Sequence, residues 1–386
     1  MQLTPRQFLT QFTHLSQQDL FPHVAAAVGP LNPHLELLTG VLALLPLGRL
    51  LSARRAATGR PARDRAALAT AFIAKAVLNL QTTRDLIDRL RSDAALRRIC
   101  GWRDARRLPH ESKFSRAFAE FAATQLPQQL HEAVIQSTQG ERVVGHIARD
   151  STAITARERF PEAVRARRKK KRTTAKRPTG AFSRAKAAER GTRIQRQRHQ
   201  PLERMIADLP TQCDIGVKTS SQGHQQYWRG YKLHLDVADG QIPVSALLTS
   251  ASLHDSQVAI PLMTMTSRRV VHLYELMDSA YDAGEIHAHS RQLNHVPIIA
   301  PHPRRGTKKP SQLPKAFPAQ TAPELGWAEQ DRYKERTMSE RVNSRLKDEF
   351  GGRHVRVRGA AKVMAHLMFG VLALTVDQWL RLAPAT

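Results

Sequence analysis

Cysteine is nearly absent from this chain: Cys100 and Cys213 are the only two in 386 residues, which excludes a disulfide framework and a cysteine-rich zinc site. Aromatic residues make up 5%, too few for the stacking platforms by which dedicated single-strand binders hold bases. Acids are scarce as well, 33 Asp and Glu against 60 Lys and Arg, for a formal net charge of +27. That excess opposes compaction unless a polyanion is at hand, so nucleic acid or an anionic membrane is the partner class, and phosphate contacts to double-stranded DNA fit better. No apolar run reaches the roughly eighteen to twenty residues of a membrane helix; the longest, Leu37 to Leu47, is broken by Gly40 and Pro46. Met1 to Gln18 lacks the basic-then-apolar pattern of a signal peptide, and a cytoplasmic protein with no membrane partner is expected.

The length suffices for two or three domains. Leu68, Phe72, Ala76 and Leu80 recur at helical spacing, followed by Leu86, Ile87 and Leu90, then Phe114, Phe118 and Phe121, then Leu130, Val134 and Ile135. Residues 1–139 therefore read as an all-helical accessory domain. Its arginines, among them Arg84, Arg89, Arg97, Arg98 and Arg106, could dock a helix-turn-helix on DNA or form a solvated basic face, and no spacing decides between these.

After Gly140 the texture changes to strands: residues 142–150, extendable through Ile154, then 231–236 and 243–250 joined across Asp239-Gly240, a hairpin turn signal, then 270–277. Short helices alternate with these, so residues 140–386 read as an α/β domain, a mixed sheet flanked by helices. Between the first strand and the hairpin lies a basic insertion at about 160–210. Its stretch 165–198 holds fifteen Lys or Arg and one acid, Glu189. The core of that run, Arg167, Arg168, Lys169, Lys170, Lys171 and Arg172, buries no apolar area, so it is expected to be extended or disordered when free and to track a phosphate backbone. The apolar segment 363–380 reads as a core helix.

The chemistry concentrates on acids. Asp278 ends the strand 270–277, and Glu340 lies on a helix predicted over 333–350, where Tyr333, Arg336, Glu340 and Lys347 share one stripe and Met338, Val342, Leu346 and Phe350 form an adjacent apolar one. Alone, Glu340 could be no more than an ion-pair partner of Arg336. Carboxylates from separate elements suit hard cations such as Mg²⁺ or Mn²⁺, and two such ions can drive in-line attack at phosphorus. The site then needs a third acid. Asp150 supplies it if the basic stretch is an insertion, Asp214 if the first strand is short and local; Asp150 is preferred. Asp255 reads as a helix cap and Asp282 as a turn residue. The histidines show no ligand spacing of the His-Glu-x-x-His kind, which argues against a catalytic zinc.

The helix Tyr333-(2)-Arg336-(3)-Glu340-(6)-Lys347 resembles the Tyr-Arg-Glu-Lys signature of bacterial insertion-sequence transposases with an acid triad of two aspartates and a glutamate. Asp278-Ser279-Ala280-Tyr281-Asp282 is similar to that family's second-aspartate motif, and Asp150-Ser151-Thr152 to its first. Gly230-Tyr231-Lys232-Leu233-His234 and the stretch Leu248 to Ser256 resemble the strands between them. The resemblance implies a ribonuclease H-like fold in a bacterial, nucleoid-associated enzyme. Asp150, Asp278 and Glu340 would hold about two Mg²⁺ ions, with Mn²⁺ able to substitute. It further implies that Tyr333, Arg336 and Lys347 hold DNA phosphates, and that a homodimer on DNA cleaves transposon ends and joins them to target DNA. The alternatives are a non-catalytic DNA-binding regulator derived from a transposase and a plain metal-dependent nuclease.

Overall fold

A computed structural model of the chain describes residues 31–52, 65–158, 191–219, 223–301 and 326–382. Two compact units emerge, one of Met1–Glu141, Gly240–Ile242 and Val342–Thr386, the other of Arg142–Asp239 and Pro243–Arg341. The compact division thus differs from a linear cut at 139/140, because the last helix joins the first ones.

The first unit is helical. Its elements are α1 (Pro33–Ala43), α2 (Leu47–Ser52), α3 (Arg65–Val77), α4 (Thr83–Ser92), α5 (Ala94–Ile99), α6 (Glu111–Ala123) and α7 (Leu126–Gln139). Local chemistry sets their starts. Asn32 accepts from the Leu35 amide ahead of Pro33, and Thr82 and Asp85 cap each other's backbone in a capping box. Residues 1–30 and 53–64 lie outside the described residues. The final helix, α14 (Ala360–Leu382), is apolar nearly all round, a composition that is stable in water only when covered. It packs on α3, α6 and α7. Phe369 stacks on Phe72 with ring centroids 6.1 Å apart, and Phe72 lies 4.9 Å from Phe118. The helix is long and apolar enough to cross a membrane, yet Leu367, Val371, Leu372 and Leu374 are buried within the protein, each burial stabilising by about 1.5–3 kcal/mol. The core-helix expectation for 363–380 agrees with this packing. At Gly370 an added Cβ would stand 3.0 Å from Leu346, so glycine permits the close approach of the chain after residue 342.

The second unit carries a six-stranded sheet in the order β2-β3-β1-β5-β6, with β4 also pairing β3. The strands are β1 (Val143–Thr155), β2 (Asp214–Thr219), β3 (Gln225–Ala238), β4 (Ile242–Ser250), β5 (Val271–Met277) and β6 (Val296–Ile299). β1 runs antiparallel to β3 and parallel to β5, and β5 parallel to β6. A parallel neighbour requires a crossover, which α10 (Ser256–Ser267) provides before β5 and α11 (Gly284–Gln292) before β6. An all-helical region followed by this mixed sheet and its helices is the ribonuclease H-like fold. The β3–β4 turn takes positive φ at Gly240 (78°) and Gln241 (61°), the backbone that a tight hairpin needs.

Two expectations are corrected here. The insertion at about 160–210 is folded over its last part: α8 (Arg193–Gln197) starts from a Thr192/Gln195 capping box, α9 (Leu202–Ala207) follows, and Arg193 pairs with Asp208 at 3.0 Å. Arg167 to Arg172 lie outside the described residues. The helix predicted over 333–350 is α12 (Trp327–Tyr333), a 3-10 turn Lys334–Arg336 and α13 (Thr337–Asp348). The tighter turn stacks residues three apart, which brings the Arg336 guanidinium 5.8 Å from the Tyr333 ring centre.

Candidate active site

The strand register creates the site. Ala148 of β1 pairs with Leu276 of β5, and extending this parallel register by two residues sets Asp150 level with Asp278, just past the end of β5. Alternation then turns both toward one face of the sheet. Asp214 does not share this position: it opens β2 opposite Gly230, its carboxylate accepts from the Ile215 amide at 2.8 Å, and β3 and β1 separate its strand from β5. The long β1 passes straight through Asp150 because Thr152, Ile154 and Thr155 are β-branched.

Asp278 caps the 3-10 turn Ser279–Tyr281, accepting from the Ala280 amide at 2.9 Å. The turn Lys334–Arg336 lies against β1 and β5 and delivers α13 with Glu340 in its first turn, where a carboxylate suits the helix dipole. Arg336 bonds Glu340 at 2.7 Å. Lys347 is half-buried seven residues further along the same helix. Met338, Val342, Leu346 and Phe350 are all buried, so the apolar stripe predicted beside Glu340 holds.

Asp150 and Asp278 are partly buried and crowded by other acids, whereas the Glu340 side chain stays 55% exposed. Burial pushes the Asp150 carboxyl up to about 6; the Ser151 amide opposes this, and nearby Asp278 and Glu340 add to it against Arg336. Asp278 is raised too, mainly by burial, with Asp255 adding and the Ala280 amide and Arg336 opposing. The Tyr333 phenol is likewise raised by burial. Such surroundings disfavour the charged forms of Asp150 and Asp278; oxygen donors of this kind suit a hard divalent cation, but Glu340 is turned to Arg336 and the three carboxylates do not gather around one point.

Sequence reasoning missed several neighbours. Asp255 precedes α10 but makes no capping bond. Its backbone is already helical there, and its carboxylate instead pairs with Lys232 at 2.9 Å. Burial would raise Asp255, but His234 and Lys232 hold it below the usual range. Burial itself keeps His234 neutral down to about 4, so Lys232 carries that pairing at neutral pH. Asp282 follows the 3-10 turn, in keeping with a turn residue, and bonds His287 at 3.2 Å. The only hint of Lys232 was its place in the segment Gly230 to His234.

On the other face, Arg149 is fully buried and forks onto Asp236 at 2.8 and 2.7 Å, with Glu275 at 3.4 Å and Thr266 of α10 bonding Asp236 at 2.6 Å. Beside Glu275, His272 and His295 converge, with one ligand atom from each of the three within 4.8 Å of the others. The absence of a ligand spacing in the sequence left this cluster unannounced. The pairing of β5 with β6 brings together residues that no linear spacing links.

The Transposase DDE domain family model matches residues 145–376, from β1 into α14, and the Transposase domain (DUF772) model matches residues 26–120. No curated protein and no solved structure matches the chain.

Proposed function

We propose, from the premise that this chain belongs to the Transposase DDE domain family, that it binds the terminal inverted repeats of its element and cuts and joins DNA with Asp150, Asp278 and Glu340. The observation that carries this reading is the juxtaposition of Asp150 and Asp278 on neighbouring parallel strands, with Glu340 within electrostatic reach of Asp150. These three carboxylates are the residues that would hold Mg²⁺ or Mn²⁺. A pair of such ions would polarise the scissile phosphate and activate a water or a DNA 3′-hydroxyl as nucleophile.

The surrounding side chains position the DNA. Arg336, now paired with Glu340, presents a planar fork that matches a phosphate once Glu340 turns to a cation. Tyr333, raised by burial, keeps its proton at neutral pH and donates a hydrogen bond to a phosphate oxygen. Lys347 offers a point charge two turns beyond Glu340, beside the transferred strand. Arg167 to Arg172 hold flanking duplex, and two ends brought together imply a homodimer on DNA.

The test is an incubation of the purified protein with Mg²⁺ and labelled DNA carrying the flanks of its own gene, followed by mapping of cut and joined products. Asp278→Asn and Glu340→Gln should abolish cleavage while end binding persists. Cleavage retained in either variant sinks the assignment, products cut but never joined point to a plain nuclease, and binding without cutting by the unmodified protein points to a regulator.

A further inference from the structure

The cluster of His272, Glu275 and His295 has no task in the function proposed for the carboxylates. His272 and Glu275 lie on β5, and His295 lies one residue before β6. All three side chains are essentially removed from solvent, at 0%, 0% and 7% exposure. We propose that they form a binding site for one divalent transition-metal ion of the zinc type, separate from the carboxylates of the active site and serving to clip β5 to β6.

His272 and Glu275 make a long hydrogen bond, and the spacing also suits ligands of one ion. His272 Nε2 is 3.4 Å and His295 Nδ1 3.8 Å from Glu275 Oε1, long against the roughly 2.7–3.2 Å of an N–H···O bond. Two donors bound at about 2.0–2.1 Å to one tetrahedral ion stand about 3.4 Å apart. His295 Nδ1 is buried without a hydrogen-bond partner. A buried nitrogen left this way costs about 1–3 kcal/mol. Coordination would satisfy it.

The charge balance agrees. Arg149 does not exhaust Glu275, because its short bonds go to Asp236 and Glu275 stands further off at 3.4 Å. One guanidinium against two carboxylates leaves a net negative charge facing the histidines. Imidazole donors select zinc, cobalt, nickel or copper over magnesium, so the two sites would take different ions. His289 bonds Thr264 through Nε2 at 3.0 Å, and the three converging donors are those of His272, Glu275 and His295.

Untagged full-length protein, stripped with chelator and reloaded with Zn²⁺, is assayed by elemental analysis after dialysis, and Co²⁺ is titrated while visible absorption is followed. About one equivalent of zinc per chain and a tetrahedral cobalt spectrum are expected. His272→Gln and His295→Gln should each lower zinc affinity at least tenfold, whereas Asp150→Asn should retain the full equivalent. No stoichiometric zinc in the unmodified protein, no cobalt band, or unchanged binding in both histidine variants overturns the proposal. If the variants fail to fold, the cobalt spectrum of the unmodified protein decides alone. None of these readouts depends on DNA cleavage.

Discussion

Replacing Asp150 with asparagine tests the idea that this site is built against its own stability. In the fold the Asp150 carboxyl titrates at about 6 against an ordinary 3.8, a difference of about 3 kcal/mol between its charged and neutral forms. The sign follows from proton uptake. Between 3.8 and about 6 the folded chain holds a proton that the unfolded chain has lost, so this group's contribution to stability is full below 3.8, falls as pH rises through 6 and stays lost above it. Asparagine imitates the neutral form and keeps an acceptor for the Ser151 amide. Asp150→Asn should therefore stabilise the metal-free protein at pH 7.5 by up to about 3 kcal/mol, or about 6–12 °C in Tm if the sheet unit melts as a domain of 150–250 residues. The gain should shrink toward zero as pH approaches 4. Thermal and urea melts in chelator-containing buffer at several pH values measure this. Added Mg²⁺ should then stabilise the unmodified protein and leave the variant unmoved. Equal stability at pH 7.5, or a gain that does not change down to pH 4, refutes the reasoning.

Further expectations address the sheet and the DNA contacts. Arg149→Met strands Asp236 and Glu275 as buried carboxylates without their cation and should cost about 3–5 kcal/mol in urea denaturation; a loss below about 1 kcal/mol would show that the pairing is compensated elsewhere. Lys232→Met leaves Asp255 without the ammonium that opposes its burial, so the carboxyls near Asp278 should titrate higher and the acid limb of the cleavage pH profile should move upward. An unmoved limb would separate Asp255 from the site. Neutralising half of the fifteen Lys and Arg of 165–198 should weaken DNA binding and flatten the slope of log K against log salt; an unchanged slope would remove that segment from the interface.

Much of the site was legible because its parts are local. The stripe of Tyr333, Arg336 and Glu340 depends on helical spacing, and a single 3-10 turn altered its pitch without turning these residues apart. Asp278 at a strand end and the Asp239-Gly240 turn are likewise properties of short segments. Asp255 was misread because a residue before a helix resembles a cap whether or not its side chain turns back to the backbone; here Lys232, on another strand, competes for it. The choice between Asp150 and Asp214 could not be made locally, since it depends on which strand β1 accompanies and in what register.

Composition and periodicity by themselves determined a basic chain with an all-helical beginning, a mixed sheet and a carboxylate helix, because charge and burial patterns are written one residue at a time. Tertiary structure alone decided that Asp150 stands beside Asp278, that α14 closes the first helices, and that His272 and His295 meet over Glu275. Each of these is a pairing across tens or hundreds of residues, set by strand register and by which faces bury each other. Spacing along the chain carries no record of such pairings.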